Sequence, residues 1–505
     1  MKGLLWVLSR VSILLMVLLL GVGSGLGPTH ELQAAYSTPI EQKLQPTGDN
    51  LTGENLGYGV AISGDTAVVG APYKNSYAGA AYVFTRGNDG NWSQQQELDG
   101  TTPWEVFGAS VAMSGDTIVV GAPQPGGTGT AYIFVRDSNG VWSQQAKLIA
   151  DTPTAGSFFG YTVAISGNTV VIAAFPDNRY TAYIFVRNST SWSQQGPKLT
   201  AGDAANDSFN PSVAISGDTV VVGARLQDSG KGAAYVFTRS NGTWSQQQKL
   251  TASDATAGDW FGLTPLVASS DTILVGAPGN HTGAGAVYVF TLNGTIWSQH
   301  QKLTASDATA GDWFGTEMAI SGDTVVVGAL QNGNIGAGAA YVFALSGTIW
   351  SQQQKLTASD TAPGDWFSRS VAISNDTVLV GAPLKNSGDG AAYAFIIPLT
   401  TYGFLGPQSP YAAPPAEFKA GSTIPLKWQY AGYAGNVVNS AMANPEVYIN
   451  GTLAVAPGNS AYRYDSLNMT WQFNWKTTGF KAGIYTIQII SGQTGQENDF
   501  LVQLK

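Results

Sequence analysis

Carboxylates recur at a fixed spacing in one loop sequence of this 505-residue chain. The stretch TASDATAGDWFG occupies residues 251–262 and again 304–315, and a close variant occupies residues 357–367. Each copy holds two aspartates five residues apart, at Asp254, Asp259, Asp307, Asp312, Asp360 and Asp365. Such aspartates either cap the loop backbone through Asx-type hydrogen bonds or supply oxygen ligands to a hard cation such as Ca²⁺. Both interpretations stay open, and any calcium affinity is expected to be weak.

Other side chains that carry catalysis are scarce. The chain has three histidines, of which His30 lies near the N terminus and His281 and His300 fall in different elements of one repeat, and it has no cysteine. A Ser-His-Asp triad, a histidine metal cluster, a thiol nucleophile and a disulfide framework are therefore not expected. An enzyme built from this sequence would depend on carboxylates alone, so we predict that the protein is not an enzyme and needs no cofactor.

The aspartate loops belong to a repeat of about fifty residues. The sequence VAISGDTVVVGA at residues 213–224 is one of seven copies that differ by small changes, and the steps between equivalent positions are 50 to 53 residues. These positions are Asp65, Asp116, Asn168, Asp218, Asp271, Asp323 and Asp376. A period that steady indicates a repeat architecture. The fourth copy shows four strand candidates, at residues 213–216, 219–224, 233–239 and 244–250. The second is apolar throughout and the third alternates. Four antiparallel strands repeated seven times predict an all-β, seven-bladed β-propeller.

Charge and composition limit the class of partner. Charged residues make up 11% of the chain and the formal net charge is −9. An acidic chain without a basic stripe argues against nucleic acid as a partner. We expect a monomer that binds an extracellular protein or carbohydrate.

Short Phe-Gly and Gly-Ala-Pro sequences give the repeat a family resemblance. The Phe-Gly pairs begin at Phe107, Phe159, Phe261 and Phe314, and the Gly-Ala-Pro triplets occupy residues 70–72, 121–123, 276–278 and 381–383. They resemble FG-GAP repeats, the units of the integrin α-subunit propeller and of many bacterial surface proteins. Some copies depart from the pattern, with Phe367-Ser368 in the seventh and with Arg225 and Leu330 in place of the proline. The resemblance covers about residues 36–398 and implies four-stranded blades and a role in cell adhesion.

The calcium sites of integrin-type blades do not carry over to this chain. Those blades bind Ca²⁺ in the turn between the first two strands through an Asp-x-Asp/Asn-x-Asp pattern, whereas the turn here is Ser-Gly-Asp-Thr. One carboxylate cannot build such a cage. We therefore expect no calcium at Asp65, Asp116, Asp218, Asp271, Asp323 or Asp376.

The sequence also predicts the limits of the domains. Residues 1–35 have the basic start and apolar run of a signal peptide or an uncleaved N-terminal anchor, which would be the only attachment to a membrane. Residues 36–398 form the propeller, and residues 38–44 are expected to close the ring, because Gln42-Lys43-Leu44 matches Gln248-Lys249-Leu250 and the seventh copy lacks its own fourth strand. Residues 399–416 are predicted as a linker. Residues 417–505 are predicted as a small Ig-like β-sandwich, whose sequences at 418–428, 462–465 and 482–489 resemble the PxKF module of bacterial secreted proteins.

One face of the predicted propeller carries the variable loops. In an up-and-down meander the blade-entry loops and the loops between the second and third strands share a side, and variable loops on a repeated scaffold are the usual place for recognition. Lys231, His281 and Asn334 in these loops are the candidate ligand-binding residues. The leading hypothesis is a secreted or cell-surface protein that recognises an extracellular protein or glycan. The alternatives are a hydrolase or lyase with a site in the central channel, and a structural protein of the cell envelope.

Overall fold

The computed structural model describes residues 39–397, apart from 49–51, 88, 176–180, 201–211, 264–266, 269–270, 332–335 and 347, and the backbone of nine strands between residues 403 and 504. The segment 1–35, predicted as a signal peptide or anchor, lies outside the described residues. Over the part of the chain that is described, no helix is both long and apolar enough to cross a membrane.

Seven four-stranded antiparallel sheets make up the propeller, as the period predicts. The first three blades contain β2 (Val60–Ser63), β3 (Thr66–Ala71), β4 (Ala80–Arg86) and β5 (Trp92–Asp99); β6 (Ser110–Ser114), β7 (Thr117–Ala122), β8 (Thr130–Arg136) and β9 (Trp142–Leu148); and β10 (Val163–Ser166), β11 (Thr169–Ala174), β12 (Thr181–Asn188) and β13 (Ser191–Gln194). The next three contain β14 (Val213–Ser216), β15 (Thr219–Ala224), β16 (Ala233–Ser240) and β17 (Thr243–Leu250); β18 (Val267–Ala268), β19 (Thr272–Ala277), β20 (Ala286–Asn293) and β21 (Ile296–Leu303); and β22 (Glu317–Ser321), β23 (Thr324–Ala329), β24 (Ala339–Ser346) and β25 (Ile349–Leu356). Blade seven contains β26 (Ser370–Ser374), β27 (Thr377–Ala382), β28 (Ala391–Ile396) and, from the start of the propeller, β1 (Ile40–Leu44).

Four short turns with helix-like hydrogen bonds connect second and third strands: α1 (Lys74–Tyr77), α2 (Gln227–Gly230), α3 (Asn280–Gly283) and α4 (Lys385–Gly388). Each contains two successive non-glycine residues at positive φ, such as Asp228 at 49° and Ser229 at 61°. They are therefore tight left-handed turns and not true α-helices.

The middle strands of each blade are buried on both faces. Val220 and Val221 of β15 are fully buried, as the apolar run predicts. The first five residues of β16 are buried as well, although its sequence predicts alternation. The prediction of an alternating third strand is wrong because neighbouring blades cover both faces of this strand too. The first strands contact one another in order around the ring, and β26 contacts β2, so the ring is closed.

The Phe-Gly and Gly-Ala-Pro motifs hold successive blades together. Phe107 is buried between the first two blades and meets Tyr132 and Phe134 edge-on, with centroids 5.4 and 6.0 Å away. A Cβ atom on Gly70 would lie 2.0 Å from the carbonyl oxygen of Gly108. Only glycine permits this approach, so the motif glycine sets how closely blades one and two pack.

Strand β1 pairs antiparallel with β28, from Ile40 opposite Ile396 to Leu44 opposite Ala392. This is the pairing that the match between residues 42–44 and 248–250 predicts. The Gln42 side chain also donates to the Trp92 carbonyl at 2.8 Å and accepts from the Trp92 backbone N–H at 2.7 Å. Gln96 makes the same pair of bonds to Trp142. These glutamines join the outer strands of adjacent blades.

Beyond the propeller, nine strands pair into two sheets: β29 (Gly403–Pro407), β30 (Ala416–Phe418), β31 (Thr423–Ala431), β32 (Glu446–Ile449), β33 (Thr452–Val455), β34 (Tyr462–Asp465), β35 (Thr470–Lys476), β36 (Gly483–Ile490) and β37 (Glu497–Leu504). The sheet orders are β29-β31-β35-β34 and β30-β37-β36-β32-β33. Strand β29 lies inside the segment predicted as a linker and pairs with β31, so that segment belongs in part to a sheet.

Candidate binding face and channel mouth

The mouth of the central channel forms a cavity of about 590 Å³ on the side of the blade-entry loops. Cavities of this size suit small ligands or the end of a larger one. Residues at the starts of the first strands line it, together with Tyr73, which follows β3, and with aromatic residues of the entry loops: Tyr58, Phe158, Tyr161, Trp260 and Trp313. The cavity lining is thus mixed, with six aromatic and three charged residues among small, aliphatic and hydroxyl side chains.

Two of those charged groups form an ion pair between blades six and seven. Arg369 Nη1 lies 3.2 Å from Glu317 Oε1, and its guanidinium lies 4.7 Å from the centre of the Tyr58 ring. Burial in the channel wall raises the pKa of Glu317 to about 8, although Arg369 acts to lower it. Sequence reasoning missed both residues because they do not repeat. The available signal was that Glu317 occupies a position where other copies have Gly59, Ser110 or Ser370.

The residue before the motif phenylalanine adopts a left-handed backbone in several blades. Val106, Phe158, Trp260, Trp313 and Trp366 have φ between 48° and 58°. Bulky residues rarely adopt this conformation, which costs on the order of 1–3 kcal/mol each. Trp260 remains 36% exposed despite that cost. These loops therefore hold bulky residues in a backbone conformation that such residues do not favour.

Blades one and two differ from the others at a further pair of positions. Tyr77 has φ 66°, and the equivalent residues in α2, α3 and α4 are Gly230, Gly283 and Gly388. Trp104 has φ 64°, and its equivalents, all at positive φ, are Gly53, Gly156, Gly258, Gly311 and Gly364. The Tyr77 and Trp104 rings stack with centroids 4.5 Å apart and planes 8° apart, and they are 39% and 58% exposed. Two glycine positions thus carry a stacked and exposed aromatic pair.

The first aspartate of each predicted pair contacts a tyrosine and a lysine. Tyr288 Oη donates to Asp254 at 2.7 Å, and Lys302 Nζ lies 2.7 Å from the other carboxylate oxygen. Asp307 meets Tyr341 and Lys355 in the same way, and Asp360 meets Tyr393 and Lys43. Burial acts to raise the pKa of Asp254, but Lys302 and Tyr288 hold it below its usual value. Burial, followed by the bond to Asp307, raises the pKa of Tyr341 to about 12.

The second aspartate caps its own loop. Asp259 is 3% exposed and accepts from the Thr256 backbone N–H at 2.8 Å, the Thr256 hydroxyl at 2.7 Å and the Asn280 amide at 3.0 Å. Asp312 accepts from the backbone and hydroxyl of Thr309. Asp365 accepts from the Ala362 N–H and from Lys385. These contacts favour the Asx-type interpretation of the repeated loop.

The calcium hypothesis for these six aspartates stays a prediction. Among the described residues, no three His, Asp or Glu side chains come together as a group able to hold a metal ion. Lys302 already provides a positive charge beside Asp254. A cation at the entry loops would have to displace these lysine and backbone partners.

Aspartates of the Ser-Gly-Asp-Thr turns bind arginine in several blades. Arg86 donates to Asp65 at 3.0 Å, and Arg239 donates to Asp218 at 2.7 Å. Arg239 also lies over the Trp244 ring, 5.2 Å from its centre. These aspartates therefore join the turn to the third and fourth strands of the blade.

The candidate ligand-binding residues lie in the loops between second and third strands. Lys231 and His281 are exposed, and His281 Nε2 lies 3.4 Å from Lys302 Nζ. Asn334 lies outside the described residues. The structure does not bring Lys231 and His281 into the lining of the channel cavity.

Comparisons with known proteins agree with the repeat. A family profile described as the FG-GAP repeat matches residues 40–84, 92–134, 142–185, 192–237, 244–290, 297–343 and 350–395, which together exceed half of the chain. No curated protein matches the chain.

Solved structures that resemble this chain in part include Sqt1 from Chaetomium thermophilum, at 12% identity and a TM-score of 0.41, covering 89% of this chain and 97% of the other. PorZ, a surface component of the type-IX secretion system of Porphyromonas gingivalis, is 11% identical with a TM-score of 0.25, covering 89% and 81%. A europium-containing methanol dehydrogenase is 9% identical with a TM-score of 0.37, covering 72% and 93%.

Proposed function

Because the chain belongs to the FG-GAP repeat family, we propose that it is a non-enzymatic recognition propeller, secreted or at the cell surface, that binds an extracellular protein or glycan. The observation that supports this most is the exposed aromatic surface around the channel mouth. It includes Tyr161, Trp260 and the stacked pair of Tyr77 and Trp104. Exposed aromatic residues on a rigid scaffold are characteristic of binding sites.

The loops of this face hold one another in place. The Trp260 N–H donates to the Gly230 carbonyl at 3.0 Å, and the Trp313 N–H donates to the Gly283 carbonyl at 2.7 Å. Each bond joins the entry loop of one blade to the α2-type turn of the preceding blade. A ligand on this face would meet a largely preformed surface and would lose little affinity to loop ordering.

A channel enzyme is the second candidate function. It is favoured by Glu317, a carboxylate of raised pKa in the channel wall, and that property is common among catalytic acids and bases. We consider recognition the better proposal because Arg369 already pairs with this carboxylate. A third candidate is a structural role in the cell envelope. Separately, we propose that the two C-terminal sheets pack as an Ig-like, PxKF-like β-sandwich.

A binding screen tests the proposal. The purified chain is incubated with a glycan array and with extracellular proteins, and any ligand is measured against Lys231→Ala, His281→Ala and Asn334→Ala. Asn241→Ser and Asn293→Ser, in turns on the opposite side, serve as controls. We expect weaker binding in the first set and unchanged binding in the controls, with folding checked by circular dichroism. The reverse pattern would place recognition on the opposite face.

The enzyme alternative has its own test. A panel of glycoside, ester and peptide substrates is assayed with the parent and with Glu317→Gln. Turnover that the parent supports and the variant loses would overturn the non-enzymatic proposal.

A further inference from the structure

We propose that a carbohydrate chain binds along a row of aromatic side chains that runs from Trp104 through Tyr77 and Tyr73 to Tyr58 at the channel mouth, where Arg369 meets its inner end. This proposal rests on the proposed function, because it names the ligand class and the path across the same face. We call these four aromatic residues the aromatic row.

The row is continuous. Its ring centroids are 4.5 Å apart from Trp104 to Tyr77, 4.9 Å from Tyr77 to Tyr73 and 6.2 Å from Tyr73 to Tyr58. At the inner end the guanidinium of Arg369 lies 4.7 Å from the Tyr58 ring centre. Tyr58, Tyr73 and Arg369 all line the channel cavity, so the row leads from the outer surface into that cavity.

The chemistry of the row suits sugar rings. A pyranose has flat faces of C–H groups that stack on aromatic rings, and hydroxyls at its edge that need hydrogen-bond partners. Tyrosine offers an apolar face and a phenolic hydroxyl together. Arg369 adds guanidinium donors at the inner end, which bind hydroxyl or carboxylate oxygens. Tyr77 and Trp104 cover one face of each other, so a sugar ring would contact the exposed remainder of this pair. Tyr73 and Tyr58 continue the row towards Arg369.

The exposure of the row argues against a protein partner. Protein hot spots lie in packed pockets that a rim of surrounding contacts keeps dry. Trp104, in contrast, is 58% exposed at the open outer end, and Tyr77 is 39% exposed. A narrow row of aromatic rings that is open at its outer end and reaches the channel cavity at its inner end resembles a track for a linear polymer more than a docking core.

The outer half of the row occurs at one blade junction among the described residues. At the equivalent positions, α2, α3 and α4 have Gly230, Gly283 and Gly388, and the neighbouring entry loops have Gly258, Gly311 and Gly53. Since glycine suits the left-handed backbone better, Tyr77 and Trp104 are not explained by the needs of the loops. Their side chains must contribute something that the other junctions do not provide.

The same comparison supplies the test variants. Tyr77→Gly and Trp104→Gly each install the residue that other blades use at that position, so the fold is expected to tolerate both. Ile296→Ala, which shortens a side chain that is 62% exposed at the start of β21, is the matched control. The probes are hexasaccharides of glucose, N-acetylglucosamine and galacturonic acid, and affinity is measured by calorimetry with the full chain.

We expect at least one hexasaccharide to bind the parent, and each glycine variant to lower its affinity at least tenfold while the melting temperature stays within about two degrees of the parent or rises. Ile296→Ala should bind as the parent does. Arg369→Lys, which keeps the charge but loses the planar fork, should weaken the binding of galacturonate more than that of the neutral sugars.

Two results would overturn the inference and leave the proposed function standing. One is sugar binding that Trp313→Ala abolishes and the two glycine variants leave unchanged. The other is a protein ligand whose affinity depends on Trp104 although no hexasaccharide binds. If neither sugars nor proteins bind on this face, both the inference and the proposed function fail.

Discussion

Tyr77 and Trp104 stack on each other across the junction of blades one and two, where other junctions bring two glycines together. Two bulky residues at positive φ cost on the order of 1–3 kcal/mol each, whereas a stacked aromatic pair returns about 0.5–1.5 kcal/mol. The pair is therefore not explained by stability. Stability and ligand affinity are expected to respond in different ways when the pair is removed.

Ring closure predicts that the first strand is essential to the whole propeller. Gln42→Ala removes both bonds to the Trp92 backbone and should lower the free energy of unfolding by about 1–2 kcal/mol. Deleting residues 38–44 should cost far more, because β28 loses its partner and exposes an edge. Gln353→Ala is the control, since its side chain donates to Ser351 of its own strand. Urea unfolding measures all three. A deletion variant with the same unfolding free energy as the parent would contradict closure by β1.

The two interpretations of the entry-loop aspartates predict different responses to calcium. If Asp259 caps the loop, Asp259→Ala lowers the free energy of unfolding by about 1–2 kcal/mol equally in calcium and in EDTA. Asp259→Asn, which keeps one acceptor oxygen for Thr256, should lose less. Melting temperatures in the two buffers decide the matter. A calcium-dependent rise in the parent that disappears in both Asp259→Ala and Asp312→Ala would establish a metal site.

The raised pKa of Glu317 predicts that the free energy of unfolding falls as the pH rises. Burial raises its pKa in the folded state from 4.5 to about 8, so the folded protein holds this proton more tightly than the unfolded chain. The stabilisation is complete below pH 4.5 and is lost as the pH rises towards 8. Relative to Glu317→Gln, the parent should lose on the order of 4 kcal/mol of unfolding free energy across this window. Chemical denaturation at several pH values measures the difference. Parallel profiles for parent and variant would show that Arg369 keeps the carboxylate charged throughout.

The propeller could be predicted from the sequence because its information is repeated. One copy of the motif is weak, but a register kept through seven copies defines the blades, and the Gln42-Lys43-Leu44 match identifies the closing strand. The burial of the third strand could not be read from one blade. A neighbouring blade covers the second face of this strand, and the sequence of one blade does not show where that neighbour lies.

The candidate site was harder to predict because its residues break the repeat. The ion pair of Arg369 and Glu317 joins two blades, and neither charged residue occurs at these positions in the other copies. Its geometry depends on how adjacent blades are placed. Lys302 does repeat, as Lys355 and Lys43, but it lies on the outer strand 48 positions after Asp254, and its sequence position alone does not show this contact. The sequence could identify the aspartates but not these partners. The useful signal was the exception within the repeat, such as Trp104 at a glycine position.

Blade seven contains strands from both ends of the propeller sequence, since β1 completes the sheet of β26 to β28. During synthesis, blades one to six can therefore form in order while residues 40–44 have no partner strand. The ring can close only after the ribosome has released Ala391–Ile396, more than three hundred residues later. Until then the unpaired edge of β1 and the apolar side of blade one, including Val60 and Ile62, stay accessible to other chains.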